Sequence, residues 1–192
     1  MQIDTSSRGF SFVREGPLDM RMDVEGPLSA DEIVNRWDRA SLERLFREYG
    51  EERGARKAAD AIVMARGRRP FRTTLDLAEA IARVLPRRGR MHPATKIFQA
   101  LRIAVNRELE VLKEAIPLLA QRLSPKGRFL VITFHSLEDR IVKESFRDLV
   151  KGGNYSLVFK KPLAPSRREV VQNPRSRSAK LRAIEARPPE EE

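Results

Sequence analysis

The stretch GRFLVITFHSLEDRIVKESF, residues 127–146, changes from one hydrophobic pattern to another and decides the fold class. Residues 129–134 form a short apolar run rich in β-branched side chains, which is typical of a buried central strand. After His135 the pattern becomes amphipathic, and the acids Glu138 and Asp139 stand where a helix begins. The stretch therefore predicts a strand, a tight turn and a helix belonging to an α/β sheet.

The rest of the chain is mainly helical by pattern, and no stretch before residue 127 predicts a similar strand. Proline should bend or split the longest predicted helix at Pro117. Residues 155–163 predict an alternating strand, and the last part of residues 165–187 predicts a final edge strand. The predicted helices begin at Ser29 with a capping box to Glu32, at Ser41, in the Ala-rich residues 55–66, at Thr74 and at Pro93.

Composition limits the classes of protein to which the chain can belong. Its 192 residues contain no Cys and two His, and no apolar stretch is long enough to span a membrane. We therefore predict no disulfides, no metal, no membrane association and a cytoplasmic location. The formal net charge of +11 favours a polyanionic partner, although a basic composition shared by a whole proteome would give the same charge.

The junction between the predicted strand and helix is the first candidate site. Ligands of open α/β sheets bind beyond the carboxyl ends of strands, where His135 and Ser136 would lie. The alternative is structural, because Ser136 followed by Asp139 is also the pattern of a helix N-cap with an acid in the first turn. No G-x-S-x-G elbow occurs, which argues against a serine hydrolase.

Basic residues form the second candidate site. Residues 173–182, NPRSRSAKLR, carry Arg175, Arg177 and Lys180 among small polar residues, a pattern suited to phosphate binding. A solvated basic edge strand would look the same. Lys96 and Arg102 lie on the long predicted helix and are compatible with an ordinary amphipathic helix.

Five stretches together resemble one family. They are RGFSF (8–12), GPLDMRMD (16–23), HPATKIFQALRIAVNREL (92–109), FHSLEDRIVK (134–143) and NPRSRSAKLR (173–182). On these motifs the chain resembles the bacterial ribosomal RNA small subunit methyltransferase H family, also called MraW. The resemblance runs from about residue 2 to residue 186.

The resemblance implies a Rossmann-like α/β methyltransferase with an inserted all-helical domain, of which this chain is the C-terminal part. It divides the chain into a cofactor-domain loop at 1–13, a helical domain at 14–90 and half of the methyltransferase domain at 91–192. The Gly-rich cofactor turn and the ribose-binding acid of the family are absent. A cofactor half on the order of 100 residues is thus expected before Met1.

The family's implied reaction is methylation by S-adenosylmethionine of N4 of a cytidine in the decoding region of 16S rRNA, with the small ribosomal subunit as partner. Gln2 matches a cofactor-contacting glutamine. The pocket edge is assigned to His135, Ser136, Glu138 and Asp139, and RNA binding to Arg8, Arg21, Lys96, Arg102, Arg175, Arg177 and Lys180.

Three interpretations stay open at this point. The chain is the second part of a methyltransferase, a non-catalytic basic RNA- or ribosome-binding protein derived from one, or a defective fragment without independent function. A sheet edge left exposed would also allow two copies to pair as a homodimer.

Overall fold

The computed structural model describes residues 6–12, 14–87, 89 and 91–188, and within them the chain forms eight α-helices and three β-strands. The chain divides into two compact units, Met1–Glu108 and Leu109–Glu192. None of the described helices is both long enough and apolar enough to cross a membrane. The helices are α1 (Ala30–Arg36), α2 (Arg39–Glu48), α3 (Ala55–Arg66), α4 (Thr74–Val84), α5 (Thr95–Asn106), α6 (Glu108–Ala120), α7 (Ser136–Lys151) and α8 (Arg167–Gln172), and the strands are β1 (Arg128–Thr133), β2 (Tyr155–Leu157) and β3 (Lys180–Ala186).

The first unit is a helical bundle with a continuous apolar core. Apolar faces of α1 to α5 meet in this core, whose fully buried side chains include Ile33, Phe46, Ile62 and Ile81. Burial of such side chains is the main force that holds a helical bundle together. The helices predicted from the sequence in this part of the chain are present as α1 to α5.

Helix starts in this unit follow the capping rules, with two corrections to the sequence-based prediction. Ser29 caps α1 as predicted. Asp38 caps α2 by accepting the Ser41 N–H, so the helix begins before the predicted start at Ser41. Thr73, not Thr74, caps α4, because its hydroxyl accepts the Asp76 N–H while the Asp76 carboxylate accepts the Thr73 N–H.

The long helix predicted from Pro93 is two helices. Arg107 adopts a left-handed conformation, with φ 49°, after the last residue of α5, and α6 begins at Glu108. Pro117 lies inside α6 and does not split it. Its missing N–H removes one backbone hydrogen bond from the helix, which ends three residues later at Ala120.

The second unit contains a three-stranded antiparallel sheet in the order β1–β3–β2. β1 is an edge strand, which corrects the prediction of a central one, and β3 is central although it was predicted to be an edge. β3 pairs along all six residues of β1, from Arg128 opposite Glu185 to Thr133 opposite Lys180. Its other side pairs with the three residues of β2. β1 is the first strand in the described part of the chain, as predicted.

One face of this sheet is covered and the other is not. Ile116 of α6, Val142 and Phe146 of α7 and Ile184 of β3 form a buried cluster, against which Phe129 and Val131 of β1 pack. The alternate residues of β1 project from the opposite face, as the period of a strand requires. The mixed α/β fold expected for the C-terminal part of the methyltransferase is confirmed, with the sheet exposed on one side.

Candidate functional site

The start of α7 is organised by His135, which lies directly after β1. The His135 Nδ1 atom accepts the Glu138 N–H at 3.3 Å, and the Glu138 carboxylate accepts the N–H groups of Phe134 at 2.8 Å and His135 at 3.2 Å. His135 is therefore the N-cap of a capping box, in which a ring nitrogen replaces the usual hydroxyl. The predicted cap at Ser136 was wrong by one residue, since Ser136 is the exposed first residue of the helix.

Asp139 is bound by two cations of the central strand. Its carboxylate accepts from Lys180 Nζ at 2.9 Å and from Arg182 Nε at 2.7 Å. Lys180 and Arg182 are two residues apart on β3 and so share one face of the sheet. Burial, the largest single influence, would raise the pKa of Asp139, but the hydrogen bonds and charges of Arg182 and Lys180 together outweigh it and lower the pKa.

This carboxylate joins the first turn of α7 to β3, and the sequence alone did not reveal the connection. The sequence did contain a signal for this connection. Lys180 and Arg182 lie two residues apart on a predicted strand, which places both cations on one face of the sheet. An acid in the first turn of a helix that packs on that face is their natural counter-ion. Arg182 thus belongs to the site although it was not among the predicted residues.

In the first unit, residues 16–23 form a loop, here called the DMRM loop, that is held from both sides. An Arg8 terminal nitrogen donates to the carbonyls of Arg21 at 3.0 Å and Met22 at 2.8 Å. Asn106 donates to the Met20 carbonyl at 2.8 Å and accepts the Met22 N–H at 2.6 Å. The loop is therefore held rigid by two side chains distant in sequence.

Backbone geometry shows how tightly the DMRM loop is built. Met20 is fully buried with φ 60°, a conformation that non-glycine residues rarely adopt. Gly9 has φ 73°, and a Cβ atom there would lie 2.0 Å from the Pro17 carbonyl oxygen. Residues held in such conformations cluster at functional sites, where surrounding contacts stabilise them.

Four of the predicted RNA-binding cations lie in the first unit, and each makes a contact within it. Arg8 holds the DMRM loop as described. Arg21 pairs with Asp19 at 2.6 Å, and the hydrogen bond that it donates to this carboxylate raises the pKa of the guanidinium. Lys96 donates to the Glu51 carbonyl at 2.7 Å, and Arg102 binds Glu108 through two nitrogens at 2.8 and 3.0 Å.

The other three predicted cations lie in the second unit and differ in exposure. Lys180 is bound to Asp139 and half-exposed. Arg175 and Arg177 lie on a 3-10 turn, Pro174–Ser178, and are exposed. They extend a larger group that sequence reasoning did not single out, here called the basic segment, residues 160–177. Its exposed cations are Lys160, Lys161, Arg167, Arg168, Arg175 and Arg177, and Glu169 is its one acid.

Comparison with known proteins shows the family of the chain. The sequence profile of the MraW methylase family matches residues 1–187. The chain belongs to the MraW methylase family. Three relatives, each named ribosomal RNA small subunit methyltransferase H, match 96% of the chain. The chain is 53% identical over 184 residues to the relative from Elusimicrobium minutum. It is 54% identical over 187 residues to the one from Rippkaea orientalis and 48% identical over 203 residues to the one from Magnetococcus marinus.

The match covers 63%, 60% and 65% of these three relatives, so the chain spans about three fifths of their length. S-adenosylmethionine, the methyl donor implied by the resemblance, does not fit the residues that the structure describes. Gln2, the one matched cofactor residue, lies outside the described residues. The first turn of α7 after β1 is already satisfied by His135 and Glu138, and the sequence contains no Gly-rich βα turn to hold a nucleoside.

Proposed function

We propose that this chain is the RNA-contacting part of an enzyme that transfers a methyl group from S-adenosylmethionine to N4 of a cytidine in the decoding region of 16S rRNA. The observation that carries the proposal is an identity of about half over 96% of the chain with enzymes named for small-subunit rRNA methylation. The small ribosomal subunit in the cytoplasm is the partner. Because the described residues do not form a cofactor site, their part in the reaction is to bind and position the RNA.

The basic segment supports the RNA-binding part of the proposal. Six exposed cations against one acid give residues 160–177 a positive field on a surface of short, irregular elements. Cations at such positions bind phosphates and release counterions, which gives affinity without sequence readout. Arg175 and Arg177 follow Pro174 on a tight turn, so their guanidinium groups extend from a fixed backbone.

Positioning is the main task in this chemistry, and the described residues are suited to it. The N4 lone pair of cytosine is delocalised into the ring, so the acceptor must be held in line with the departing methyl group. A base paired or stacked in rRNA must also be turned out of its stack. The DMRM loop, held by Arg8 and Asn106 before any ligand arrives, provides a preorganised surface of the kind that such a reaction needs.

The four pocket candidates divide into different roles. His135 and Glu138 hold each other's backbone N–H groups, and Asp139 holds Lys180 and Arg182. These three act as positioning residues that fix the first turn of α7. Ser136 is exposed at the surface of that turn and is the member of the set best placed to contact a ligand.

A chimera tests the proposed function. The chain replaces the matching residues of the Elusimicrobium minutum relative, and the product is incubated with undermethylated small subunits and labelled S-adenosylmethionine. We expect the label in N4-methylcytidine of 16S rRNA by nucleoside mass spectrometry. The chimera with Arg175→Gln and Arg177→Gln should lose most of this activity through weaker RNA binding. Label in a different nucleoside would replace the N4 assignment, and no label in rRNA would refute the proposal.

A second candidate, a non-catalytic RNA-binding protein, is favoured by one observation: the part of the chain that the structure describes offers cations for RNA but forms no cofactor site. This function predicts that the chain alone binds small subunits, with an affinity that falls steeply with salt. It also predicts that the chimera folds and binds rRNA without transferring a methyl group. Methyl transfer by the chimera would exclude it.

A further inference from the structure

The loop between α3 and α4, residues 67–73 and here called the arginine loop, is fastened to the rest of the first unit through its backbone. Asn35 of α1 donates to the Phe71 carbonyl at 2.9 Å and accepts the Phe71 N–H at 2.9 Å. Two amides at the start of the loop donate to the Ala65 carbonyl at 3.0 and 3.2 Å. Arg66 donates to two carbonyls at the end of α1 at 2.7 and 2.6 Å. The backbone of the loop is therefore ordered before any ligand binds, which lowers the entropic cost of binding.

Three arginine side chains of this loop are exposed to solvent. Arg68, Arg69 and Arg72 form no ion pair and no side-chain hydrogen bond with the residues that the structure describes. The chain contains no acid between Asp60 and Asp76. Both of these carboxylates have other partners, since Asp60 pairs with an arginine of α2 and Asp76 accepts the N–H of the residue that caps α4. Among the described residues, the three guanidinium groups are thus left without a counter-ion.

The usual structural roles of a surface arginine do not account for the arginine loop. Three other exposed arginines of the same unit each pair with an acid one helical turn away. The pairs are Arg47 with Glu43, Arg56 with Asp60 and Arg83 with Glu79. A cation can also stabilise the C-terminal end of a helix, but this effect is confined to the last turn, and Arg66 has that position in α3. The loop cations lie beyond that turn and face solvent.

The chemistry of the arginine loop fits the phosphates of a nucleic-acid backbone. A guanidinium group binds phosphate oxygens through two parallel N–H donors, a geometry that lysine does not offer. Phe71, the one aromatic residue of the loop, is buried, so the loop has no ring on which an unpaired base could stack. Its burial also leaves the loop without a large apolar side chain to enter a lipid bilayer. The loop is therefore suited to contacts with backbone phosphates that do not read the bases.

We propose that the arginine loop is a second RNA-binding site of the chain, in which Arg68, Arg69 and Arg72 bind phosphates of 16S rRNA. None of the cations predicted from the sequence to bind RNA lies in this loop. The loop belongs to the first unit and shares no residue with the basic segment of the second. The inference rests on the proposed function for the choice of rRNA as the ligand. Each unit then contributes phosphate contacts of its own to the binding of the substrate.

Salt-dependent RNA binding tests the arginine loop. The complete chain is titrated against a fluorescent 16S rRNA fragment from the decoding region and against a duplex RNA of unrelated sequence, over a series of KCl concentrations. The test variant combines Arg68→Gln, Arg69→Gln and Arg72→Gln. We expect its slope of log affinity against log salt to be shallower by about 2 on both RNAs, the value for three lost phosphate contacts. An unchanged slope, or a change on only one of the two RNAs, would overturn the proposal.

Two further variants separate phosphate contacts from total charge and from damage to the loop. The matched control substitutes glutamine for the three paired arginines, Arg47, Arg56 and Arg83, and so removes the same charge from the same unit. Its slope should be nearly unchanged, and an equal reduction would refute a specific site. The combination of Arg68→Lys, Arg69→Lys and Arg72→Lys keeps the charge and should keep most of the slope. Loss of the slope in this lysine variant would show that the loop itself was disturbed, and would refute the assignment to phosphate contacts.

Vesicles and the chimera separate the remaining outcomes. If the glutamine variant loses binding to phosphatidylglycerol vesicles but keeps its binding to RNA, the loop is a membrane contact and the RNA site is refuted. A shallower slope for the glutamine variant, together with a chimera that transfers no methyl group to rRNA, would leave the RNA site standing and count against the proposed function alone. Methyl transfer by the chimera together with an unchanged slope would refute the RNA site alone.

Discussion

At the scale of single residues, Asp139 is a nearly buried charge that joins α7 to β3 in the second unit. Its side chain is 11% exposed and Arg182 is 14% exposed, so neither is well solvated. We expect Asp139→Asn to lower the free energy of unfolding by about 3 kcal/mol, because it leaves two cations without their counter-ion. Urea unfolding followed by hydrogen exchange of β1 and β3 peptides measures this loss.

The effect of Asp139 should depend on pH in a defined direction. The folded protein lowers the pKa of this carboxyl below its ordinary value, so its contribution is complete above that value and is lost as pH falls through the folded pKa. The difference between the unmodified chain and Asp139→Asn should thus be constant above about pH 5 and shrink in more acidic solution. Glu185→Gln, in the exposed pair with Arg128, should cost less than about 1 kcal/mol.

Two substitutions of His135 can distinguish a role in capping α7 from a role in contacting a ligand. We expect His135→Ala to destabilise the second unit by about 1 kcal/mol, the usual cost of a lost N-cap, and His135→Ser to restore stability because serine is a good cap. If the cap is the whole role of the residue, the serine variant of the chimera keeps its methyl transfer. A stable serine variant without activity would show that the imidazole itself contacts a ligand.

Local pattern located this region from sequence but did not resolve its contacts. The acids at 138 and 139 correctly indicated the start of α7, while the choice of Ser136 as the cap was wrong because an imidazole nitrogen also accepts a backbone N–H. The partnership of Asp139 with β3 joins residues 41 and 43 positions apart. A helix cap is local in sequence and could be predicted from it. A pairing between residues so far apart is not local and could not be predicted.

At the scale of elements, the basic segment between β2 and β3 gives a quantitative prediction. Arg175→Gln combined with Arg177→Gln should weaken binding of the chain to 16S rRNA uniformly across sequences. The slope of log affinity against log salt should become shallower by about 1.5, the value for two lost phosphate contacts. Fluorescence anisotropy over a series of KCl concentrations measures this slope.

Charge-matched variants provide the control for the basic segment. Arg128 and Arg147 both lie in the second unit and already pair with Glu185 and Asp148. Substituting both with glutamine removes the same charge and should leave the salt slope nearly unchanged. An equal reduction in both double variants would mean that overall charge, and not this segment, governs RNA binding.

Strand positions show the limit of pattern reasoning at this scale. The apolar run at 129–134 correctly predicted a strand, but its two apolar faces also suggested a buried central position, which was wrong. β1 lies at an edge because β3 returns from a distant part of the chain to lie between β1 and β2. Strand order depends on contacts over more than 50 residues, such as Arg128 with Glu185, which a local pattern does not encode.

At the scale of the whole molecule, the two units have cores of very different size. The core of the first contains residues from five helices, while the buried cluster of the second consists of Ile116, Ala120, Val142, Phe146 and Ile184. Because buried apolar area is the main source of stability, we expect two unfolding transitions, with the second unit unfolding at lower urea. Trp37 fluorescence reports the first unit, and hydrogen exchange of β3 reports the second. A single coincident transition would contradict this.

Gly9 also predicts how this gene tolerates random mutation. Every missense change at its codon introduces a Cβ atom, which would lie only 2.0 Å from the Pro17 carbonyl oxygen. The φ of 73° is a second, separate cost for any residue other than glycine. In a saturation library selected for function, codon 9 should therefore be depleted of every substitution, alanine and serine included. Codon 89, where the added atom would meet nothing within 4 Å, should tolerate many more changes despite its φ of 59°.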